Sequence, residues 1–258
     1  MIYIVTIPGI GSKKQGYSKD FVADISKFSK GTHIENSITC IETLPFSVTN
    51  IDAYQQELFE RLDACNNLGG LLSFRKFVLE AFGDAVTFER NKDEAHSPYK
   101  RTHEYLQHIF EQVNELVLQN TTNKLVIVAE SMGIQLLHTY ITDADTNSGI
   151  FEQTPATVQN NLRNLSYLAT CGCNLPLFFS GYPESEIVAF EKRNSQFIWE
   201  NFYDKNDVLG WPLKQMSPSF NALITDYEVN AGISPACHLN YWGDNSCTKR
   251  ICKTLCSL

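Results

Sequence analysis

The stretch that most restricts how this chain can fold is Lys124-Leu125-Val126-Ile127-Val128-Ala129, a nearly unbroken apolar run. A strand of this kind must be covered on both faces, as in a parallel sheet flanked by helices. The run passes directly into Ala129-Glu130-Ser131-Met132-Gly133, after which Ile134, Leu136, Leu137 and Tyr140 fall at helical spacing. A serine on so tight a strand-to-helix turn projects its hydroxyl from the sheet edge, provided that the positions two before and two after it are small. Ala129 and Gly133 meet that demand, which makes Ser131 a candidate nucleophile.

The remainder of the chain alternates in the same way. A first strand over residues 2–7 leads through Pro8-Gly9-Ile10-Gly11-Ser12 to a helix expected from Ser18, with Phe21, Val22, Ile25 and Phe28 on one face. A short strand near Ile38–Ile41 follows, then a helix capped by Asn50 with Ile51, Tyr54, Leu58 and Leu62 as its apolar stripe. Ser97-Pro98 reads as an N-cap and first-turn proline of a long helix carrying Leu106, Ile109, Phe110, Val113, Leu116 and Val117. Further strands are expected at Leu165–Ala169, Phe197–Tyr203 and Leu223–Val229. A last helix should start near Asp244 or Asn245, with Cys247, Ile251 and Leu255 inward. Alternating strands and helices predict an α/β three-layer sandwich with a mostly parallel sheet of about six strands. The economical description is one domain over residues 1–258. Residues 67–97, with an amphipathic segment at 71–82, form an insertion that is either a cap or an ordinary scaffold helix.

A serine hydroxyl needs a base to become a nucleophile. In a strand–elbow–helix setting the acid and then the histidine follow the serine in the chain. Of six histidines only His138 and His238 lie beyond Ser131, and His138 sits seven residues into the helix that the elbow opens. That leaves His238, in a loop between the last expected strand and the last helix. The acid should lie just past the preceding strand, where Asp204 and Asp207 compete. Asp207 precedes apolar Val208-Leu209 and suits a buried acid aimed at the imidazole, whereas Asp204 opens a polar turn. Two backbone N–H groups are candidates for an oxyanion hole: Met132, just after the nucleophile, and Ile10, between Gly9 and Gly11 in the loop after the first strand. No phosphate-cradling glycine pattern is present.

Charge and cysteine usage bound the partners. A net charge of −8 over 258 residues argues against a nucleic-acid partner. No apolar run approaches the roughly 18 residues of a membrane helix, and the N-terminus reads as a strand rather than a signal peptide. A reducing, cytoplasmic setting is therefore expected, in which the eight cysteines are free thiols behaving as small hydrophobes. Cys171-Gly172-Cys173 is read that way too, and no metal or organic cofactor is expected.

Taken together the motifs resemble the small serine esterases and lipases of the α/β-hydrolase superfamily. Ala129-Glu130-Ser131-Met132-Gly133 resembles their nucleophile elbow, and Pro8-Gly9-Ile10-Gly11 their oxyanion loop. Thr170-Cys171-Gly172-Cys173-Asn174-Leu175-Pro176 resembles a strand-end segment of the family, Tyr203-Asp204-Lys205-Asn206-Asp207 the acid loop, and His238-Leu239-Asn240-Tyr241-Trp242 the histidine segment. The chain departs from the family in Pro8 and Glu130, where histidine is common, and in lacking the hairpin before the first parallel strand. The resemblance implies hydrolysis of a small-molecule carboxylic ester or thioester through an acyl-enzyme on Ser131. Acyl transfer by the same triad, or an inactive copy of the fold serving as a binding protein, are the alternatives.

Overall fold

The structure is a computed structural model that describes residues 1–9, 14–49, 51–66, 97–152, 161–232 and 236–258, together with Arg75, Val78, Leu79 and Gly83. Most of the 67–97 insertion, Asn50 and the oxyanion-loop residue Ile10 lie outside the described residues.

Six strands make one sheet: β1 (Ile2–Ile7), β2 (Ile38–Glu42), β3 (Lys124–Glu130), β4 (Leu165–Cys171), β5 (Ile198–Tyr203) and β6 (Ile224–Glu228). Their order is β2-β1-β3-β4-β5-β6, and every neighbouring pair is parallel. This is the α/β architecture expected from the sequence, and the described residues contain no antiparallel strand. Burial follows the two-residue period of the pleat. Val5, Ile7, Leu125, Ile127 and Ala129 face one hydrophobic layer, and Ile4, Val126 and Val128 face the other. Helices α3 (Pro98–Leu118) and α4 (Met132–Thr146) cover the first face; α1 (Lys19–Ser29) and the C-terminal α7 (Asn245–Leu255) cover the second. Both layers are needed because β3 has no polar face to offer water, and truncating a fully buried Ile127 to alanine should cost about 2–5 kcal/mol.

The order of the sheet positions the site. After β1 the chain moves outward to β2, then returns to the other side of β1 for β3. The loops leaving β1 and β3 therefore part in opposite directions and open a crevice at the carboxyl ends of the strands, the usual ligand position in open α/β sheets.

Of the helix starts expected at Ser18, at Ser97-Pro98 and near Asp244 or Asn245, two carry a side-chain cap. Ser97 Oγ accepts from the Lys100 N–H at 3.3 Å, with Pro98 in the first turn, and Asp244 Oδ1 accepts from the Cys247 N–H at 2.7 Å. Cys247, Ile251 and Leu255 face inward as expected. Ser18 precedes α1 but does not cap it. Its N–H and Oγ both donate to Glu42 Oε1, at 2.9 and 2.6 Å, while the Gly16 N–H donates to Oε2 at 2.7 Å. Burial pushes the Glu42 carboxyl up, but these donors overcome it and hold it below the usual carboxylate range. Helix α2 (Ile51–Asn66) forms where its periodicity predicts, yet of its apolar stripe only Ile51 is buried; Tyr54, Leu58 and Leu62 are exposed.

Two further helices, α5 (Leu175–Phe179) and α6 (Pro218–Leu223), bring aromatic rings over the far half of the first face. Helix α7 is fastened to the sheet by Glu200 of β5. This buried carboxylate accepts from Arg250 at 2.6 Å, Tyr167 Oη at 2.7 Å and Thr254 Oγ1 at 2.9 Å. A charge buried that deeply is tolerable because its lone pairs are satisfied.

Candidate active site

Ser131 stands at the tip of β3 with φ 50° and ψ −124°, a backbone conformation that a residue with a side chain adopts at a cost of order 1–3 kcal/mol. The surroundings enforce it. The Ser131 N–H donates across to the Cys171 carbonyl of β4 at 3.1 Å, and the Ile134 N–H returns to the Ser131 carbonyl at 2.9 Å. Gly133 lies so close to β1 that a Cβ there would stand 2.5 Å from the Pro8 carbonyl oxygen. A Cβ on Gly9 would stand 2.7 Å from Ser131 Cβ. The small residues of the two loops are what allow the elbow and the end of β1 to touch.

The three residues singled out by chain order meet at this point. His238, in a 3₁₀ turn at Ala236–Leu239, has its Nε2 2.8 Å from Ser131 Oγ. Its Nδ1 lies 2.8 and 3.0 Å from the two Asp207 carboxylate oxygens. Ser131, His238 and Asp207 are all buried. Burial alone would push the Asp207 carboxyl up. Hydrogen bonding and charge attraction from His238, with further bonds from the Leu209 N–H and Tyr241 hydroxyl, hold it below the ordinary value. Asp204, the competing acid, has its carboxylate engaged elsewhere: Oδ1 accepts from the Asn206 N–H at 2.8 Å and Oδ2 from the Ala231 N–H at 2.7 Å. The first is the turn-forming bond expected of it; the second anchors the stretch leading towards His238.

Of the two oxyanion candidates, Met132 is the buried first residue of α4, and its N–H is one of the leading helix donors that no helix carbonyl can accept. Ile10 lies outside the described residues. Its neighbour Gly9 turns its own N–H towards Glu130 Oε2 at 3.5 Å.

Several residues of the site carried no isolated sequence signal. Tyr241 Oη donates to Asp207 Oδ2 at 2.8 Å and accepts from the Asp204 N–H at 3.0 Å. The next residue, Trp242, donates its Nε1–H to Glu130 Oε2 at 2.5 Å. Gly172, at φ 60°, and Gly210 make room for this cluster. A Cβ on Gly172 would meet the Tyr241 ring at 2.6 Å, and one on Gly210 would meet Asp207 Oδ2 at 2.2 Å. Gly172 directly follows β4, and Gly210 stands farther along the loop that leaves β5.

His138 does not join the site. It is buried against Phe179, Phe190 and Phe220, and desolvation lowers its pKa to about 4. Cys40, Cys171, Cys173, Cys237, Cys247, Cys252 and Cys256 are free thiols, and five of these seven are buried. Burial raises the thiol pKa of Cys40 and Cys252 to about 11, and that of Cys237 upward. Such thiols are poor nucleophiles. Cys171 Sγ lies 3.6 Å from Cys247 Sγ across the sheet-to-helix boundary. No group of three or more metal-ligating side chains occurs among the described residues, and no described helix is long and apolar enough to cross a membrane.

No family model matches the chain, and no curated protein matches it. Among solved structures it is similar to a protein of Xanthomonas campestris pv. campestris described as a candidate hydrolase of the alpha/beta superfamily. That similarity covers 100% of this chain and 99% of the other, at 10% identity and a TM-score of 0.41. A likeness that distant carries no functional weight. The fold class rests on the chain's own six-stranded, all-parallel sheet between two helical layers.

Proposed function

We propose that this protein is a serine hydrolase that cleaves a carboxylic ester or thioester of a small molecule through an acyl-enzyme on Ser131. The observation that carries the reading is the buried, uninterrupted path from Ser131 Oγ through both nitrogens of His238 to Asp207.

In this reading Ser131 Oγ attacks the substrate carbonyl carbon while His238 Nε2 takes the hydroxyl proton. Asp207 stays ionised, which its depressed pKa favours, and stabilises the imidazolium without accepting the proton. The oxyanion would be met by the Met132 N–H and, as expected from the sequence, by that of Ile10; losing one such donor typically costs roughly a hundredfold or more in turnover. Collapse of the tetrahedral intermediate breaks the bond to the leaving alcohol or thiol, which receives the proton from His238. A water molecule, deprotonated by His238, then attacks the acyl-enzyme; as the bond to Ser131 Oγ breaks, His238 returns the proton to that oxygen and the acid product leaves. No metal or organic cofactor takes part.

The whole chain is read as one hydrolase domain, with 67–97 as a candidate cap. Free buried thiols fit the reducing, cytoplasmic setting expected for it.

The test is labelling by a fluorophosphonate probe, followed by a panel of p-nitrophenyl esters and a product assay with added alcohol to separate hydrolysis from acyl transfer. Wild type should label at a single site, and Ser131→Ala should abolish both labelling and turnover, by roughly a millionfold in kcat. A folded wild type that does not label would refute the reading and favour an inactive fold.

A further inference from the structure

Glu130 has no part in the reaction sequence just described, yet its side chain is buried immediately before the nucleophile. Its Oε2 accepts the Trp242 Nε1–H at 2.5 Å, and the Gly9 N–H approaches the same oxygen at 3.5 Å. One oxygen thus reaches three stretches of chain that meet at Ser131: the elbow, the loop that leaves β1, and the segment that carries His238. Trp242 lies four residues beyond His238, which makes it the nearest handle on that segment facing the elbow.

The indole has little freedom to turn away. Tyr17 and Phe21 meet it edge-on, with ring centroids 5.3 and 5.8 Å away. On the other side Tyr241, its chain neighbour, donates to Asp207. Two consecutive aromatic residues therefore fasten the His238 segment, one to the acid and one to the residue beside the nucleophile. Indole and backbone N–H groups are donors only, so the position calls for an acceptor; a carboxylate oxygen takes both and strengthens each bond by its charge.

We propose that Glu130 is a positioning residue: through Trp242 it holds His238 in register with Ser131, and through Gly9 it sets the start of the oxyanion loop. The catalytic consequence rests on the ester-hydrolase reading; the tether itself rests only on the geometry. Glutamine at this position keeps one acceptor oxygen but loses the charge, whereas leucine keeps the bulk and loses the acceptor.

The experiment compares wild type, Glu130→Leu, Glu130→Gln, Trp242→Phe and the Leu/Phe double variant. Readouts are fluorophosphonate labelling rate, kcat and KM on a p-nitrophenyl ester, and solvent exchange of the tryptophan indole N–H groups by NMR. Glu130→Leu and Trp242→Phe should each slow labelling and lower kcat by roughly ten- to hundredfold with KM within about twofold, the loss expected when one buried, charge-assisted bond is removed. Glutamine should restore most of the rate, and the double variant should be no slower than the slower single. Full rates in a folded Glu130→Leu or Trp242→Phe, or losses that multiply in the double variant, overturn the proposal. If Glu130→Leu does not fold, Trp242→Phe and Glu130→Gln decide. A Trp242 indole N–H that exchanges no faster in Glu130→Leu, or in Glu130→Ala should leucine not fold, overturns the tether whatever the activity. A wild type that never labels removes the hydrolase reading and the catalytic role with it, and the exchange data then judge the tether alone.

Discussion

Three histidines are buried among the described residues, and two of them, His238 and His138, are buried on opposite terms. His238 lies at the carboxyl edge of the sheet with each ring nitrogen within hydrogen-bonding distance of a partner, Ser131 on one side and Asp207 on the other. His138, seven residues beyond the elbow, lies among Phe179, Phe190 and Phe220, and its Nε2 has no hydrogen-bond partner. Both rings have left water, but only His238 has a carboxylate within hydrogen-bonding distance; at His138 desolvation outweighs the opposing charge of Asp143. Desolvation makes an imidazole hard to protonate, which is the direction of the shift at His138. The adjoining buried carboxylate of Asp207 supplies what is missing there, and the proton shuttle proposed for His238 depends on that neighbour as much as on the ring.

The sharpest way to break the contrast is to make His238 more like His138. Asp207→Asn keeps the shape but removes the charge facing Nδ1, and should lower kcat by about ten-thousandfold. Asp204→Asn, three residues away, should leave kcat near wild type and cost about 1–3 kcal/mol of stability, because its carboxylate serves the Asn206 and Ala231 N–H groups instead. Equal losses of activity in the two variants would refute the assignment of roles.

The next effect in size is on His138. Its folded pKa of about 4 lies below the ordinary histidine value, so between about pH 6.5 and 4 the unfolded chain binds a proton that the folded one does not. Stability is therefore lost as pH falls through that window, by on the order of 3 kcal/mol for this one group. His138→Phe should flatten that part of the stability curve, measured by urea unfolding from pH 7 to 4, and should leave ester turnover at pH 7 unchanged. A slope in this window that is the same in both proteins would show that the ring is not the cause. Asp207 contributes in the same direction over a more acidic range. Its folded pKa is depressed, so the stability it adds is fully present above the unfolded carboxylate range and is lost as pH falls through the folded value.

The smallest effect probes the space around His238. Gly172→Ala places a methyl group against the Tyr241 ring and on a backbone at φ 60°. It should cost about 1–3 kcal/mol in stability and lower kcat through the Tyr241–Asp207 contact, whereas alanine at Gly181, where nothing stands within 4 Å, should be silent.

What could be read in the sequence was local or periodic. The run 124–129, the small residues at 129 and 133, the caps at Ser97 and Asp244 and the strand positions all come from chemistry within a few residues. The elbow pattern singled out Ser131, chain order His238, and the apolar neighbours of residue 207 Asp207 over Asp204; Ser131 and Asp207 are each found within hydrogen-bonding distance of His238. What escaped was long-range. Ser18 resembles a cap in its own sequence, but Glu42, 24 residues on, takes its hydrogen bonds. Trp242 meets Glu130 across 112 positions, a pairing that no local pattern encodes. Periodicity placed α2 but not its environment, because a stripe of apolar residues predicts a helix more securely than it predicts what covers the helix.

The left-handed backbone at Ser131 has a consequence for descent. Glycine adopts that geometry freely and serine does not, so folding by itself would reward the loss of the hydroxyl at position 131. If Ser131 is the nucleophile proposed above, a lineage freed from the need for that reaction would gain stability by losing its hydroxyl first. The strain at Ser131 is a cost to the scaffold that the proposed chemistry would account for.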